Sequence, residues 1–220
     1  MSETADLAKR RPERRTQEQR RTATRLALLD ATVETLVELG YARTTTTEVC
    51  ARAGVSQGAL FKHFPTKQEL LAASAEHLYR SLLDGYVEKL ARLGKGKGNG
   101  NGNGAIDIDD AIDALWDTFQ RPELSVAYEL VVAGRTDERL RKQLAEVAGS
   151  HATAIRSAAA QLFPTLANQA EFNAVVDTVL EALQGLAISR MIATDTLHDA
   201  RVLEVLGRVA HETLQTGRRK

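Results

Sequence analysis

The chain contains 220 residues, of which 43% are apolar, and its 29 acidic and 29 basic side chains give a formal net charge of zero. This length holds one large domain, or a small domain joined to a larger one, with enough apolar residues for a real core. The neutral balance excludes a global field that would attract a charged partner, and a single cysteine, Cys50, excludes an intrachain disulfide. Neither a secretory signal nor an apolar run of membrane-spanning length is visible, so we expect a cytoplasmic protein without a membrane partner.

Basic residues are concentrated near the start of the chain. Between residues 1 and 67, Lys and Arg outnumber Asp and Glu by twelve to eight, and most of this bias lies in RRPERRTQEQRR, residues 10–21. We expect residues 1–20 to form a basic, flexible arm that adds nonspecific affinity for phosphates and reaches an adjacent minor groove. A disordered tail that serves only solubility is the alternative.

Capping signals predict the first helices. A capping box at Thr16–Gln19 and a terminating glycine, Gly40, bound the first helix. A second box at Thr45–Glu48 opens a short helix that ends near Ala53, just before Gly54. The sequence thus predicts a long helix followed closely by a short one.

The stretch GVSQGALFKHF, residues 54–64, predicts a third helix with little bulk on its outer face. Ser56 is a good N-cap, and Leu60 and Phe64 share one face. Gly58 weakens the helix by about 1 kcal/mol relative to alanine. We expect its inner face, with Val55, to pack against Leu36, Val37 and Val49.

Helical patterns continue through the rest of the chain. A third capping box, Thr66–Glu69, opens a helix that we expect to run from residue 67 to 93. The run GKGKGNGNGNG, residues 94–104, cannot bury apolar surface and predicts a flexible loop or, alternatively, a lid over a ligand entrance. The later patterns cover residues 108–119, 123–133, 137–163, 170–193 and 197–216, the fourth of them opened by a capping box at Asn168–Glu171. No alternating strand pattern of useful length is present.

The second and third helices, joined by a tight turn, have the layout of a helix-turn-helix. In such a unit the second helix lies in the major groove of DNA, with its N-terminal residues at the base edges. Gly58 and Ala59 then allow a close approach, Gln57 can reach a base, and Lys62 and His63 can reach phosphates.

The sequence TTTTEVCARAGVSQGALFKHFPTKQELL, residues 44–71, resembles the DNA-binding head of the TetR/AcrR transcriptional regulators. The likeness spans about Thr24 to Leu71, and the remainder of the chain agrees in architecture. It implies an all-α fold in which a helix-turn-helix head, residues 21–66, is joined by a long helix to a helical effector-binding and dimerisation domain, residues 67–220. It also implies a homodimer formed through the last two helices, which reads a double-stranded DNA operator.

The resemblance assigns roles to individual residues of the head. Thr45 and Thr47 correspond to positions that cap the second helix and meet the DNA backbone, and Arg52 to a position near the groove edge. Where this chain has Phe61 the family usually has tyrosine, so a phosphate contact is lost, although the ring can pack on a sugar or a thymine methyl. The expected DNA-binding residues are Thr45, Thr47, Arg52, Ser56, Gln57, Gly58, Ala59, Phe61, Lys62, His63 and Lys67.

The resemblance further implies a small-molecule site between the long helix and the core. The candidate ligand-binding residues are Tyr86, Trp116, Phe119, Tyr128, Arg135, His151 and Met191, with core packing as the alternative role of each. Cationic positions are few on the apolar stripes, so we expect a mostly neutral or apolar ligand.

Enzymatic functions find little support in the sequence. The five histidines are scattered, with no zinc-binding pair, no nucleophile elbow and no phosphate-binding glycine loop, so we expect neither catalytic residues nor a metal or cofactor. We expect a ligand-responsive DNA-binding regulator, a repressor released from a palindromic operator. The alternatives are an architectural or constitutive DNA-binding dimer without an effector, and a helical ligand carrier that has lost DNA binding.

Overall fold

The computed structural model describes residues 16–97 and 106–216. Within these ranges all regular secondary structure is helical, without a strand, which confirms the all-α prediction. The helices are α1 (Gln17–Leu39), α2 (Thr46–Ala53), α3 (Gln57–His63), α4 (Lys67–Lys97), α5 (Ile108–Phe119), α6 (Leu124–Gly134), α7 (Glu138–Leu162), α8 (Phe172–Arg190) and α9 (Thr196–Thr216), and a short 3₁₀ turn at Tyr41–Arg43 follows α1. No helix in the described ranges combines the length and hydropathy that crossing a bilayer requires.

The ends of the first helices follow the local signals. The Thr16 side chain accepts a hydrogen bond from the backbone N–H of Gln19, and the Gln19 side chain accepts one from the N–H of Thr16, which completes the predicted capping box. Gly40 and Gly54 end α1 and α2 with φ angles of +74° and +67°. Because residues with a Cβ adopt such angles at a cost, these two glycines terminate the helices where the sequence predicts.

The helix-turn-helix has its own small core. Its buried residues, contributed by α1 to α4, are Leu28, Leu29, Ala31, Val49, Cys50, Leu60, Phe64 and Leu70. The expected packing against Leu36 and Val37 is wrong. Leu36 belongs to a second cluster shared with α4 and α6, and Val37 is 37% exposed. Since α1 is 23 residues long, its last turns extend past the head and reach the larger part of the molecule.

The larger part of the molecule is built on α4. Buried leucines of α4, including Leu71, Leu78 and Leu82, pack with residues of α6 and α7. A further cluster joins α5 to α8 around Trp116 and Leu183, and α9 packs against both α5 and α8. The long helix therefore carries the head at its N-terminal end and contributes to the main core along its length.

Direct bonds also tie the head to the larger part. The Glu129 carboxylate on α6 accepts a hydrogen bond of 2.5 Å from the backbone N–H of Tyr41, just after α1. Near the start of α4, Gln68 donates to Asp137 at 2.9 Å, and Arg139 pairs with Glu69 at 2.9 Å. The head is thus attached through α6 as well as through α4, whose first turn is in turn bonded to the start of α7.

Two predicted boundaries, the end of the N-terminal arm and the end of the long helix, differ in the structure. Helix α1 begins at Gln17, so of the predicted arm only residues 1–15 remain, and these lie outside the described residues. Helix α4 continues to Lys97, so the first four residues of the predicted loop are helical, while residues 98–105 lie outside the described ranges.

The capping box predicted at Asn168–Glu171 is wrong. Helix α8 begins at Phe172, and its N-cap, Glu171, has a helical backbone and makes no capping hydrogen bond through its side chain. A series of turns precedes it, in which backbone N–H groups such as that of Gln169 bond to carbonyls three residues earlier. These turns satisfy the backbone locally, so the helix starts later than its polar residues suggest.

Candidate functional site

Helix α3 shows the contrast between its two faces that groove binding requires. The Ser56 hydroxyl accepts a hydrogen bond from the Ala59 N–H at 3.2 Å and caps the helix. Leu60 is fully buried, whereas Gln57, Gly58 and Lys62 are exposed. A Cβ placed on Gly58 would meet only its own turn, at 3.9 Å from Ser56. The fold itself does not require glycine there, and the small residue leaves the outer face of α3 open to a close approach.

Gln57 is oriented by a neighbour on α2. Its side-chain nitrogen Nε2 donates a hydrogen bond of 2.8 Å to the Thr47 hydroxyl. This bond joins the exposed first turns of α2 and α3, and it restricts the rotamers of a side chain that has several in isolation. An amide held this way can address a base edge with less entropy to lose on binding.

Several cationic side chains gather around His63. Burial lowers the pKa of His63, and the positive charges of Arg21, Arg25 and Lys62 lower it further. The Arg25 guanidinium also lies 4.5 Å from the centre of the Phe64 ring. Arg21 and Arg25, one helical turn apart on α1, were not predicted as site residues. Their spacing within the basic stretch is a sequence signal that could have identified them.

Lys67 lies at the first residue of α4, beside the head. Its ammonium group is 5.2 Å from the centre of the Tyr41 ring, and burial lowers its pKa. The N–H groups at this helix end attract anions, so the position suits a backbone phosphate. The role of Lys67 in DNA binding stays a prediction.

Arg52 has an internal partner that the sequence did not reveal. Its guanidinium forms a short ion pair with Glu38 and a second, at 3.4 Å, with Glu34, both on α1. The hydrogen bond from Arg52 lowers the pKa of Glu38 below its usual range. This pairing holds α2 on α1 and neutralises the charge of Arg52, so the predicted contact at the groove edge lacks a free cation.

The other predicted DNA-binding residues are placed as follows. Thr45 caps α2, its hydroxyl accepting a hydrogen bond from the Glu48 N–H at 3.2 Å. Phe61 is 44% exposed on α3, which is unusual for an aromatic side chain and leaves its ring available to a partner. Four exposed members of the set, Thr47, Gln57, Phe61 and Lys62, lie on α2 and α3. We call these four residues, with Arg21, Arg25 and His63, the head surface.

Three of the predicted ligand-binding residues meet in one cleft between α4 and α8. Phe119, Tyr128 and His151 line it, together with Tyr79, whose ring stacks on that of His151 at 4.4 Å. We call this space the polar cleft. Burial raises the pKa of Tyr128 to about 12 and lowers that of His151 below its ordinary value. At neutral pH both groups are therefore uncharged donors or acceptors of hydrogen bonds.

The Tyr128 hydroxyl stands out in this cleft. Its oxygen is buried and, among the residues that the structure describes, has no hydrogen-bond partner. A buried hydroxyl left without a partner costs about 1–3 kcal/mol, so native proteins rarely keep one without a use. Across the same cleft, Arg156 forms a bidentate pair with Asp177 at 2.9 and 2.7 Å, which joins α7 to α8.

Tyr86 lines a second space, which we call the apolar cavity. The empty space among its lining side chains is about 680 Å³, a figure that includes the solvent at its open mouth, and it is lined by α4, α5, α7, α8 and α9. The Tyr86 hydroxyl donates to the Ala111 carbonyl at 3.3 Å. Ile155 and Leu180 line both the apolar cavity and the polar cleft, so the two spaces are neighbours.

The remaining candidate ligand residues are elsewhere. Trp116 is buried under the Arg190 guanidinium, 5.6 Å from its ring centre, and lines a shallow hollow with the half-exposed Met191. Arg135 follows the last residue of α6, is exposed, and lines none of these spaces. The structure therefore does not bring Arg135 to the other candidates.

One group in the described ranges has the composition of a metal site. Carboxylates of Asp107 and Asp109 lie within 4.8 Å of each other and of a His211 ring nitrogen. Asp107 is the N-cap of α5 and Asp109 lies in its first turn, both exposed, and Nε2 of His211 is 3.6 Å from Asp107 and 3.4 Å from Asp109. Exposed acidic groups are common without a metal ion, so we do not assign a metal site here.

Comparison with known proteins supports the geometry. The sequence profile described as "Bacterial regulatory proteins, tetR family" matches residues 28–74. The HTH-type transcriptional regulator Rv2912c of Mycobacterium tuberculosis is 35% identical over 181 residues, which are 80% of this chain and 87% of that protein.

Solved structures share the whole architecture. A TetR-family regulator from Rhodococcus aligns with a TM-score of 0.65 at 21% identity, over 88% of this chain and 99% of that one. The multidrug binding protein EbrR, crystallised with imidazole, aligns with a TM-score of 0.56 at 19% identity, over 84% of this chain and 93% of that one. Relatives of this kind are transcriptional regulators rather than enzymes. On its sequence, its helix-turn-helix and its relatives, the chain belongs to the TetR family of DNA-binding transcriptional regulators.

Proposed function

We propose that this chain is a cytoplasmic, effector-responsive repressor. As a homodimer it binds a palindromic operator through two head surfaces, and a small molecule that enters the polar cleft and the neighbouring apolar cavity releases it. The observation that carries the proposal is the position of the cleft. Tyr79 of α4 and Tyr128 of α6 both line it, and these two helices also hold the head.

Dimerisation is proposed through the exposed faces of α8 and α9. Ile188 on α8 and Ile192, two residues past the end of that helix, are 42% and 91% exposed, and Val205 and Val209 are four residues apart on α9 and also exposed. Together these apolar side chains form a stripe that a second copy can cover. Two heads in one dimer then match the two halves of a palindrome.

Glutamate at Val205 and Val209 tests this interface. The double variant should elute as a monomer in gel filtration and bind operator DNA far more weakly, because two buried charges face each other across the two-fold axis. Val132→Glu is the matched control, since Val132 is 67% exposed on α6 and lies outside the proposed stripe. A double variant that remains dimeric at micromolar concentration would contradict the interface.

Effector response is proposed from the two neighbouring spaces in the core. A regulator without an effector has no need of a cleft that keeps a buried hydroxyl unpaired. A ligand that binds the DNA-free conformation better depletes the DNA-binding one, by an amount set by its difference in affinity for the two.

Selection of bound genomic fragments, followed by fluorescence anisotropy on the enriched sequence, tests the DNA-binding part. Deletion of the gene should raise transcription next to the selected sites if the protein represses. Compounds that raise the melting temperature of the protein should lower its affinity for the operator. If every stabilising compound leaves operator affinity unchanged, the protein is the constitutive DNA-binding dimer instead.

A further inference from the structure

The apolar cavity contains almost no polar chemistry. Of the described side chains that line it, only Tyr86 carries a polar atom, and that hydroxyl already donates to the Ala111 carbonyl. Burial raises the pKa of Tyr86 well above its ordinary value, so the hydroxyl remains neutral at any physiological pH. The other lining residues are aliphatic or phenylalanine.

A charged molecule would lose its hydration in this cavity and gain no partner. Transfer of an unpaired ion into such surroundings costs far more than the transfer of a neutral group. Burial of hydrocarbon, in contrast, is favourable in proportion to the area removed from water. The lining thus selects for uncharged, apolar ligands.

The polar cleft next to the cavity carries no spare positive charge in its described lining. Arg156 is paired with Asp177, His151 is held neutral by burial, and the exposed Glu181 adds a negative charge. An anion therefore finds no counter-charge in either space, while a hydroxyl or carbonyl can bond to Tyr128.

We infer that the effector is an uncharged molecule with a largely hydrocarbon body, which occupies the apolar cavity and extends at most one hydrogen-bonding group toward the polar cleft. The inference rests on the proposed function, because it names the chemistry of the proposed effector.

Two dyes that differ by one charge test the inference on the full-length protein. Phenylnaphthylamine is neutral, and anilinonaphthalenesulfonate is the same ring system with a sulfonate. The neutral dye should bind saturably, with a fluorescence increase, at least about tenfold more tightly than the sulfonated one. Equal or tighter binding of the sulfonated dye overturns the inference.

Variants that fill the apolar cavity test whether the neutral dye binds there. Ala159→Phe places a ring in the cavity and should weaken the neutral dye by about tenfold or more, and Ala159→Leu is the milder variant if the first does not fold. Ala145→Phe is the control, on an exposed position of the same helix that lines neither space. If a folded Ala159 variant binds the neutral dye as tightly as the control does, the cavity is not the site.

The two proposals fail separately. A protein that binds the neutral dye in the cavity but binds no operator DNA overturns the proposed function and leaves the ligand chemistry in place. Loss of discrimination between the dyes overturns the ligand chemistry and leaves DNA binding untouched.

Discussion

Replacement of Gln57 by alanine should change which base the protein prefers at one position in each half of its operator. A bidentate contact between an amide and an adenine contributes about 1–3 kcal/mol of discrimination, or roughly 5- to 150-fold in Kd for one half-site. A dimer presents the residue twice, so a fully palindromic operator should lose about twice that free energy. The loss should vanish at operators in which that base pair has been changed.

Thr47→Val refines the test. Valine keeps the shape of threonine but removes the hydroxyl that accepts the Gln57 amide hydrogen bond of 2.8 Å. A hydrogen bond of this kind contributes about 0.5–1.5 kcal/mol, so Thr47→Val should weaken discrimination at the same base position, but less than Gln57→Ala does.

Binding is measured by fluorescence anisotropy against operators mutated one base pair at a time, over a series of salt concentrations. Lys62→Ala is the matched control on the same helix. It should weaken binding to every sequence alike and reduce the salt slope by about one unit per head, or about two for the dimer, as expected for lost phosphate contacts. The role given to Gln57 is refuted if its removal weakens all sequences equally, or if Lys62→Ala alters base preference.

Three further predictions concern stability and ligand binding. Gly54→Ala should destabilise the protein by about 1–2 kcal/mol in urea unfolding, because φ is +67° at this position. No atom lies within 4 Å of the added Cβ, so the cost comes from the backbone conformation, and Gly54→Asn should lose less free energy of unfolding. Equal losses for the two variants would point to a steric cause. Tyr128→Phe removes a buried hydroxyl that has no partner among the described residues, so it should raise the free energy of unfolding by about 1 kcal/mol. The same change should weaken the binding of any effector that bonds to this hydroxyl. A variant less stable than the wild type would reveal a partner for the hydroxyl. The pKa of His63 lies below the 6.5 of an unperturbed histidine, so the unfolded chain takes up this proton first as the pH falls. The wild type should therefore lose stability relative to His63→Asn below about pH 6.5 in thermal unfolding, and operator DNA should offset part of that loss; the same profile for both proteins would assign the effect elsewhere.

Helix positions were predictable where the signals are local. A threonine that caps, as Thr16 and Thr45 do, or a glycine with positive φ, as Gly40 has, acts through neighbours within four residues. The missed start of α8 shows the limit of this logic. Its polar residues fit a capping box, but the turns before it already satisfy the backbone.

The functional residues show the same distinction between local signals, which the sequence reveals, and contacts between distant helices, which it does not. Groups on α3 were identified because burial of Leu60 and exposure of Gln57 both follow from the helical period. The pairing of Arg52 with Glu34 and Glu38 spans 14 to 18 residues and depends on how α2 crosses α1, which periodicity does not encode. The cleft at Tyr128 and His151 is harder still to predict from the sequence, because it depends on the space that packed helices leave between them.

The hydrogen bond that the Tyr41 N–H donates to Glu129 connects the end of α1 to the part of α6 that lines the cleft. Glu129 follows Tyr128 directly in sequence. The residue whose hydroxyl is unpaired in the cleft is therefore bonded to the residue that holds the end of α1. A ligand that displaces Tyr128 would also displace Glu129 and its hydrogen bond with Tyr41. Under the proposed function, a ligand in the cleft would therefore act on the position of α1 through this one turn of α6.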